Sequence, residues 1–255
     1  MNRIIAFVSL SYLSYRGLFM WLTPWTFISG VILAPLLNYA MFAFVTFNGA
    51  PPAVQQDVLL NFPVISVAAV MLGGILQMFH YERVYELLMV PHSATLRILF
   101  AKAAFHIPNG FFAIAAPFLL SLYWLNVPFA RVDWSLLSSS ILAICFGYAS
   151  FALLLGVLVS AIRDWLTPLA LGGAIFFLLS GALIPLDVFP AWLRVLAKGL
   201  PVTHGLVAYR SSVLDAAHGT AWCEVGHEII ISIFFSILAC CAWMLLSSFR
   251  RTGRI

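Results

Sequence analysis

The sequence predicts an all-α polytopic membrane protein, a single transmembrane domain over residues 1–255, and three observations predict it. The 255-residue chain is 63% hydrophobic and only 9% charged, against about 25% charged in soluble globular domains. Its mean hydropathy of +1.04 is too high for a water-covered surface. Its long runs are apolar on every side, which excludes the alternating pattern of a membrane β-barrel. At about 20 apolar residues per helical span, this length accommodates roughly six transmembrane helices and short connections.

The elements follow in order. In MNRIIAFVSLSYLSYR the apolar side chains Ile4, Ile5, Val8, Tyr12 and Tyr15 recur at near-helical spacing. Ser9, Ser11 and Ser14 interrupt the run and no small-residue cleavage pattern follows, which argues against a removable leader. Residues 1–22 are expected as an amphipathic helix lying at the membrane interface. From Gly17 to Tyr81 the only charged side chain is Asp57, at the end of the turn-like NGAPPAVQQD (48–57). That turn separates spans expected at about 24–47 and 58–79.

Residues 80–97 collect charge between the second and third spans. Within them YERVYELLMVP reads as a short helix ended by Pro91, with Glu82 and Glu86 on one face at i,i+4 and Val84, Leu87 and Leu88 as apolar knobs. A third span is expected at about 98–124. It contains Pro108 and Pro117, which a span tolerates where neighbours satisfy the freed carbonyls. NVPFARVDW (126–134) is a turn, the fourth span lies at about 135–160, Arg163 and Asp164 make a tight turn, and the fifth span lies at about 165–184.

After the fifth span the chain does not become polar. SGALIPLDVFPAWLRVLAKGLPVTHGLVAYR (180–210) stays half apolar between Pro185, Pro190 and Pro201. Pro190 suits a helix start and Gly199-Leu200-Pro201 a stop, with Arg194 and Lys198 on one face and Trp192, Leu193 and Leu196 mainly on the other. Thr203 is expected to cap a second short helix. Residues 185–215 thus read as a re-entrant pair of outer helices between spans five and six. Irregular backbone at that depth persists only against protein or around a wet cavity. The sixth span is expected at about 227–249.

Six spans put both termini on one side. That side holds Arg3, Arg16, Arg83, Arg97, Lys102, Arg163, Arg250, Arg251 and Arg254; the other holds Arg131, Arg194, Lys198 and Arg210. The excess assigns both termini to the cytoplasm. Most of the eight tryptophans fall near proposed span ends, as interfacial anchors do.

The function classes narrow by what the chain lacks. No phosphate-loop, serine-hydrolase, zinc-protease or dinucleotide motif occurs, no Cys-x-x-Cys spacing pairs any of the four cysteines, and no basic patch interleaved with aromatics points to nucleic acid. No cofactor or metal is expected on this chain. The spans are nearly free of ionisable groups, with His106 the best intramembrane candidate, so drive by a titrating residue is not expected. A push from a cytoplasmic partner against 80–97 is. A membrane-embedded enzyme would have to use the sparse set His204, Arg210, Asp187 and Asp215; a passive channel or scaffold is the third class. Tyr39, Phe42, Phe44 and Tyr148 can stack on sugars or lipid chains along a pathway, or simply pack.

Two motifs carry a family resemblance. Ser180, Gly181, Pro185, Pro190, Trp192 and Leu193, followed by Pro201, Thr203 and His204 and a later Arg210, resemble the signature of ABC-2 type transporter membrane subunits. Glu82, Arg83, Glu86, Leu88 and Pro91 resemble the first cytoplasmic loop of the same family. The resemblance implies a homodimeric permease that recruits two copies of a separate cytoplasmic ATP-binding subunit, which would hold ATP and Mg. It implies that the N-terminal helix and the 80–91 helix contact that subunit, and that the re-entrant pair caps the pathway as an outer gate. The Gly-Thr element common in the loop of drug-exporting members is absent. The loop and the P-x-T-H run look nearer to lipo-oligosaccharide and polysaccharide exporters, which implies an amphipathic substrate such as a lipid-linked glycan. Export of a hydrophobic drug or peptide is the alternative. The expected location is the plasma membrane, the inner membrane of a bacterium.

Overall fold

The computed structural model describes residues 8–9, 12, 24–49, 52–81, 92–104, 106–160, 166–182, 186–214 and 218–251. Every long element among them is an α-helix, and none is a strand. Helix α1 runs as Pro24–Phe27, a π-helical stretch Ile28–Leu33 and Ala34–Gly49. The widened turn directly precedes Pro35, whose ring would otherwise press on the carbonyl four residues back. Helix α2 is Pro52–Tyr81, α3 His92–Ala104, α4 His106–Trp124, α5 Trp134–Val159 and α6 Leu166–Leu179. Two short helices, α7 (Ala191–Lys198) and α8 (Thr203–Leu214), precede the long α9 (His218–Arg251).

Among the described residues five stretches are long and apolar enough to cross a membrane: Ile28–Gly49, Val58–Leu76, Ile98–Trp124, Trp134–Val159 and Gly219–Phe249. They are the counterparts of the expected first, second, third, fourth and sixth spans. The chain is a multi-pass membrane protein. At the expected fifth span, α6 has 14 described residues, about 21 Å of helix against a hydrocarbon core of about 30 Å. The rest of 165–184 falls partly on residues 165, 183 and 184, which lie outside the described residues. So do residues 82–91, Pro185 and nearly all of the expected N-terminal amphipathic helix.

Some boundaries differ from expectation. The helix placed at 227–249 begins at His218. The polar residues Glu224, His227 and Glu228 are accommodated inside it by contacts with the start of α8. The turn placed at 48–57 is shorter, because α2 starts at Pro52, where a proline's missing N–H costs nothing. The segment 80–97 is not a loop throughout: α3 begins at His92.

The core is organised around α5, which contacts α2, α4, α8 and α9. Its start is set by Asp133, whose side chain accepts from the N–H groups of Ser135 at 3.0 Å and Leu136 at 3.1 Å. Along α2 the residues Leu60, Val64, Val67, Ala68, Met71 and Ile75 are all fully buried, and their spacing traces one helical face. Tyr148, Ala152 and Val157 of α5 complete the same apolar cluster with Trp243 of α9. The outward faces of α1 and α9 carry exposed Met41, Phe44, Ile230, Phe234 and Leu245, as surfaces facing lipid or another chain do.

Candidate functional site

The site lies where the short helix α8, with α7 leading into it, meets α2 and α9. Pro190, in extended backbone, opens α7, and Gly199 closes it. The Arg194 guanidinium folds back and donates to the carbonyls of Asp187 at 3.0 Å and Phe189 at 3.3 Å, so it is drawn away from solvent. Leu193 is half-buried, while Trp192 (66% exposed), Val195 and Leu196 form an apolar outer face of α7.

Between α7 and α8 the chain makes an unusual turn. Val202 has φ +79°, a left-handed conformation that a β-branched residue adopts only under constraint. The constraint comes from Glu228 of α9, which is fully buried. Its Oε1 accepts from the Val202 N–H at 2.5 Å and from the Ser232 hydroxyl at 3.4 Å, and its Oε2 accepts from the Gly205 N–H at 3.0 Å. The carboxylate thus occupies the N-terminus of α8, where free N–H groups and the helix dipole favour negative charge. Thr203 was the expected cap. Its hydroxyl instead donates to the Ala197 carbonyl at 2.8 Å, and the capping role passes to Glu228. Two glycines make room: a Cβ on Gly147 would lie 2.5 Å from Glu228 Oε1, and one on Gly205 would lie 3.2 Å from Glu228 Cγ.

A second contact ties the far end of α8 to α2 and to the turn that follows α6. The Arg210 Nε donates to Asn61 Oδ1 at 2.6 Å, and its Nη2 donates to the Gly181 carbonyl at 3.4 Å. Gly181 has φ +78°, which glycine adopts without a Cβ penalty, and it turns the chain after α6. The buried Ser180 hydroxyl oxygen accepts from the Ala182 N–H at 3.4 Å. Ser180, Gly181 and Arg210 are therefore in one contact network, and Pro201 is buried next to the Glu228 network. A third cluster stands at the same helix start: His204 Nδ1 lies 2.5 Å from Glu224 Oε2, with the His227 ring 5.4 Å from that of His204.

The other sequence candidates are scattered. Tyr39 is buried, donates to the Leu59 carbonyl at 3.2 Å and stacks on Trp124, while Phe42 stacks on Phe62. Phe44 is 70% exposed. Tyr148 is buried beside Phe176, and its hydroxyl has no hydrogen-bond partner among the described residues. None of the four lines the apolar groove of about 270 Å³ between α4 and α5, which is walled by Phe111, Phe118, Leu119, Trp134 and Ile141. His106 is buried against α2. The polar set His204, Arg210 and Asp187 is divided: His204 faces Glu224, Arg210 faces Asn61, and Asp187 is exposed. Asp215, Glu82, Arg83, Glu86, Leu88, Pro91 and Pro185 lie outside the described residues.

Sequence reasoning missed Glu228 and Asn61. The expectation of spans nearly free of ionisable groups, with His106 foremost, is corrected by Glu228, a buried carboxylate within the stretch Gly219–Phe249. The one available signal was a carboxylate inside the window expected for the sixth span.

Comparison with known proteins identifies the family. The family model described as ABC-2 type transporter matches residues 8–214, most of the chain, ending where α8 ends. No curated protein and no solved structure matches.

Proposed function

Because the chain belongs to the ABC-2 type transporter family, and is thereby the permease subunit of an ABC exporter that works with an ATP-binding subunit, we propose that it moves an amphipathic substrate across the plasma membrane. The substrate class is a lipid-linked glycan or lipo-oligosaccharide, as the P-x-T-H run of Pro201, Thr203 and His204 and the absence of a Gly-Thr element near Glu86 suggest. Two copies of the chain assemble with two ATP-binding subunits, which hold ATP and Mg. Residues 165–184 form the remaining span, making six, and both termini face the cytoplasm of a bacterial inner membrane. Residues 1–22 lie at the interface, and Glu82, Arg83, Glu86, Leu88 and Pro91 receive the push of the ATP-binding subunit.

One observation carries the gate reading. The helix pair α7–α8 is fastened at its turn to α9 through Glu228 and at its far end to α2 and the Gly181 turn through Arg210. A pair held by polar contacts to two different spans follows any shift of one span against the other. Substrate then needs only to prefer one of the two states of the dimer.

The test is coexpression with an ATP-binding subunit encoded beside it, purification through the permease, and ATP hydrolysis in lipid with and without a lipid-linked glycan. Copurification with glycan-stimulated hydrolysis is the expected result. A permease that transports with no nucleotide-hydrolysing partner would sink the proposal. The apolar groove between α4 and α5 favours a second reading, export of a hydrophobic drug or peptide. Stimulation by such compounds and not by glycans would select it.

A further inference from the structure

Glu224 and His227 take no part in the transport reading, and their geometry with His204 poses a problem of its own. The Nε2 of His204 lies 3.0 Å from the Lys198 carbonyl oxygen. A carbonyl oxygen only accepts, so Nε2 carries a proton. In the neutral ring Nδ1 is then a bare lone pair, and it faces Glu224 Oε2 at 2.5 Å. Two acceptors do not rest at that distance unless a cation lies between them or a proton does, held by the ring or by the carboxyl group.

The third residue favours the cation. Glu224 and His227 stand at i,i+3 on α9 and reach the same side, toward the first turn of α8. One donor atom from each of His204, Glu224 and His227 lies within 4.8 Å of the other two. A ring that donates one N–H to a backbone carbonyl and turns its other nitrogen to the site is the arrangement found around protein-bound metals, where the outer hydrogen bond sets the tautomer. Two imidazoles and one carboxylate suit zinc, copper or nickel; magnesium and calcium take all-oxygen sets.

We propose that His204, Glu224 and His227 form a binding site for a divalent transition metal of the zinc class. Zinc bonds of about 2.0–2.1 Å in tetrahedral geometry place donor atoms roughly 3.3 Å apart. Binding therefore asks Glu224 to draw back slightly from His204 while His227 closes in. The His204 and Glu224 side chains are 18% and 29% exposed, and His227 is exposed, so the site is open to an entering ion and to water as a fourth ligand. An occupied site would clamp the start of α8 to α9, one helical turn from the Glu228 cap. Two of the three ligands, Glu224 and His227, lie beyond the stretch matched by the family.

The experiment uses the full-length chain on a histidine-free tag in lipid nanodiscs, titrated with cobalt(II) and then zinc(II). The expected result is one cobalt per chain with the visible absorption of a four-coordinate ion, displaced by zinc. His227→Ala and Glu224→Gln should each weaken binding by more than about tenfold, since even outer-shell losses around metals reach that size. His227→Ala removes an exposed side chain, so its metal-free melting temperature should match that of the unaltered chain. Absent binding, or binding unchanged in both variants, overturns the proposal. So does a His204 ring whose ¹⁵N signals remain those of a doubly protonated imidazolium at saturating zinc, which would assign the contact with Glu224 to an ion pair. The readout needs no ATP-binding partner, so its outcome is independent of the transport reading.

Discussion

Glu228 is a fully buried carboxylate that accepts three hydrogen bonds. Both of its oxygens are acceptors, and both are used by N–H groups that α8 cannot satisfy itself. A glutamine there would offer one acceptor and turn its NH₂ toward the other donor. Glu228→Gln is therefore not conservative, and each unpartnered buried N–H should cost about 1–3 kcal/mol. Gly147→Ala presses on the same contact, because its Cβ would land 2.5 Å from Oε1. Both variants should melt lower than the unaltered chain in lipid, and the double variant should lose less than the sum of the two, as changes at one contact do. Additive losses, or an unchanged melt for Glu228→Gln, would remove the capping role. A reader of the sequence could see a charge in an apolar run. Its donors, the Val202 and Gly205 N–H groups, lie 26 and 23 residues away along the chain and were not visible.

At the scale of elements, α7 and α8 were legible because proline and glycine punctuate them, and their observed bounds lie within the expected 185–215. Which way α7 faces was not legible. Arg194 was expected on the polar face, yet its guanidinium turns back onto the carbonyls of Asp187 and Phe189, leaving Trp192, Val195 and Leu196 outermost. Trp192→Ala removes an exposed ring, so the fold should hold while transport falls. Arg210→Ala severs α8 from Asn61 and Gly181, and Arg210→Lys should not restore the tie, since an ammonium lacks the guanidinium's fork of donors. For Trp192→Ala and both Arg210 variants we expect normal insertion and normal copurification of the ATP-binding subunit, with transport reduced at least several-fold. Transport at the unaltered rate in all three would detach the helix pair from the gate.

At the scale of the whole molecule, charge distribution and partner are linked. In the proposed six-span arrangement nine of the thirteen Lys and Arg residues fall on the cytoplasmic side, together with Glu82 and Glu86. Reversing both glutamates to lysine should leave the chain inserted and uncouple it, because like charges would repel where opposite charges are proposed to dock. Copurification of the ATP-binding subunit and transport, each compared with the unaltered chain, are the measurements. If neither changes, the 82–91 segment is an ordinary solvated loop.

The sequence by itself determined that this chain lives in a membrane, crosses it repeatedly as helices and interrupts that pattern between Ser180 and Arg210. Those properties sum over neighbouring residues, and the hydrophobic effect acts on each window of about 20 residues almost independently of the rest. Only the tertiary structure decided that Asn61 meets Arg210, that Glu228 holds the strained Val202, and that His204 faces Glu224 and His227. Such pairs join residues that are neighbours in space and far apart in the chain, and their burial must be matched donor to acceptor. No local tally of hydropathy or propensity contains that information.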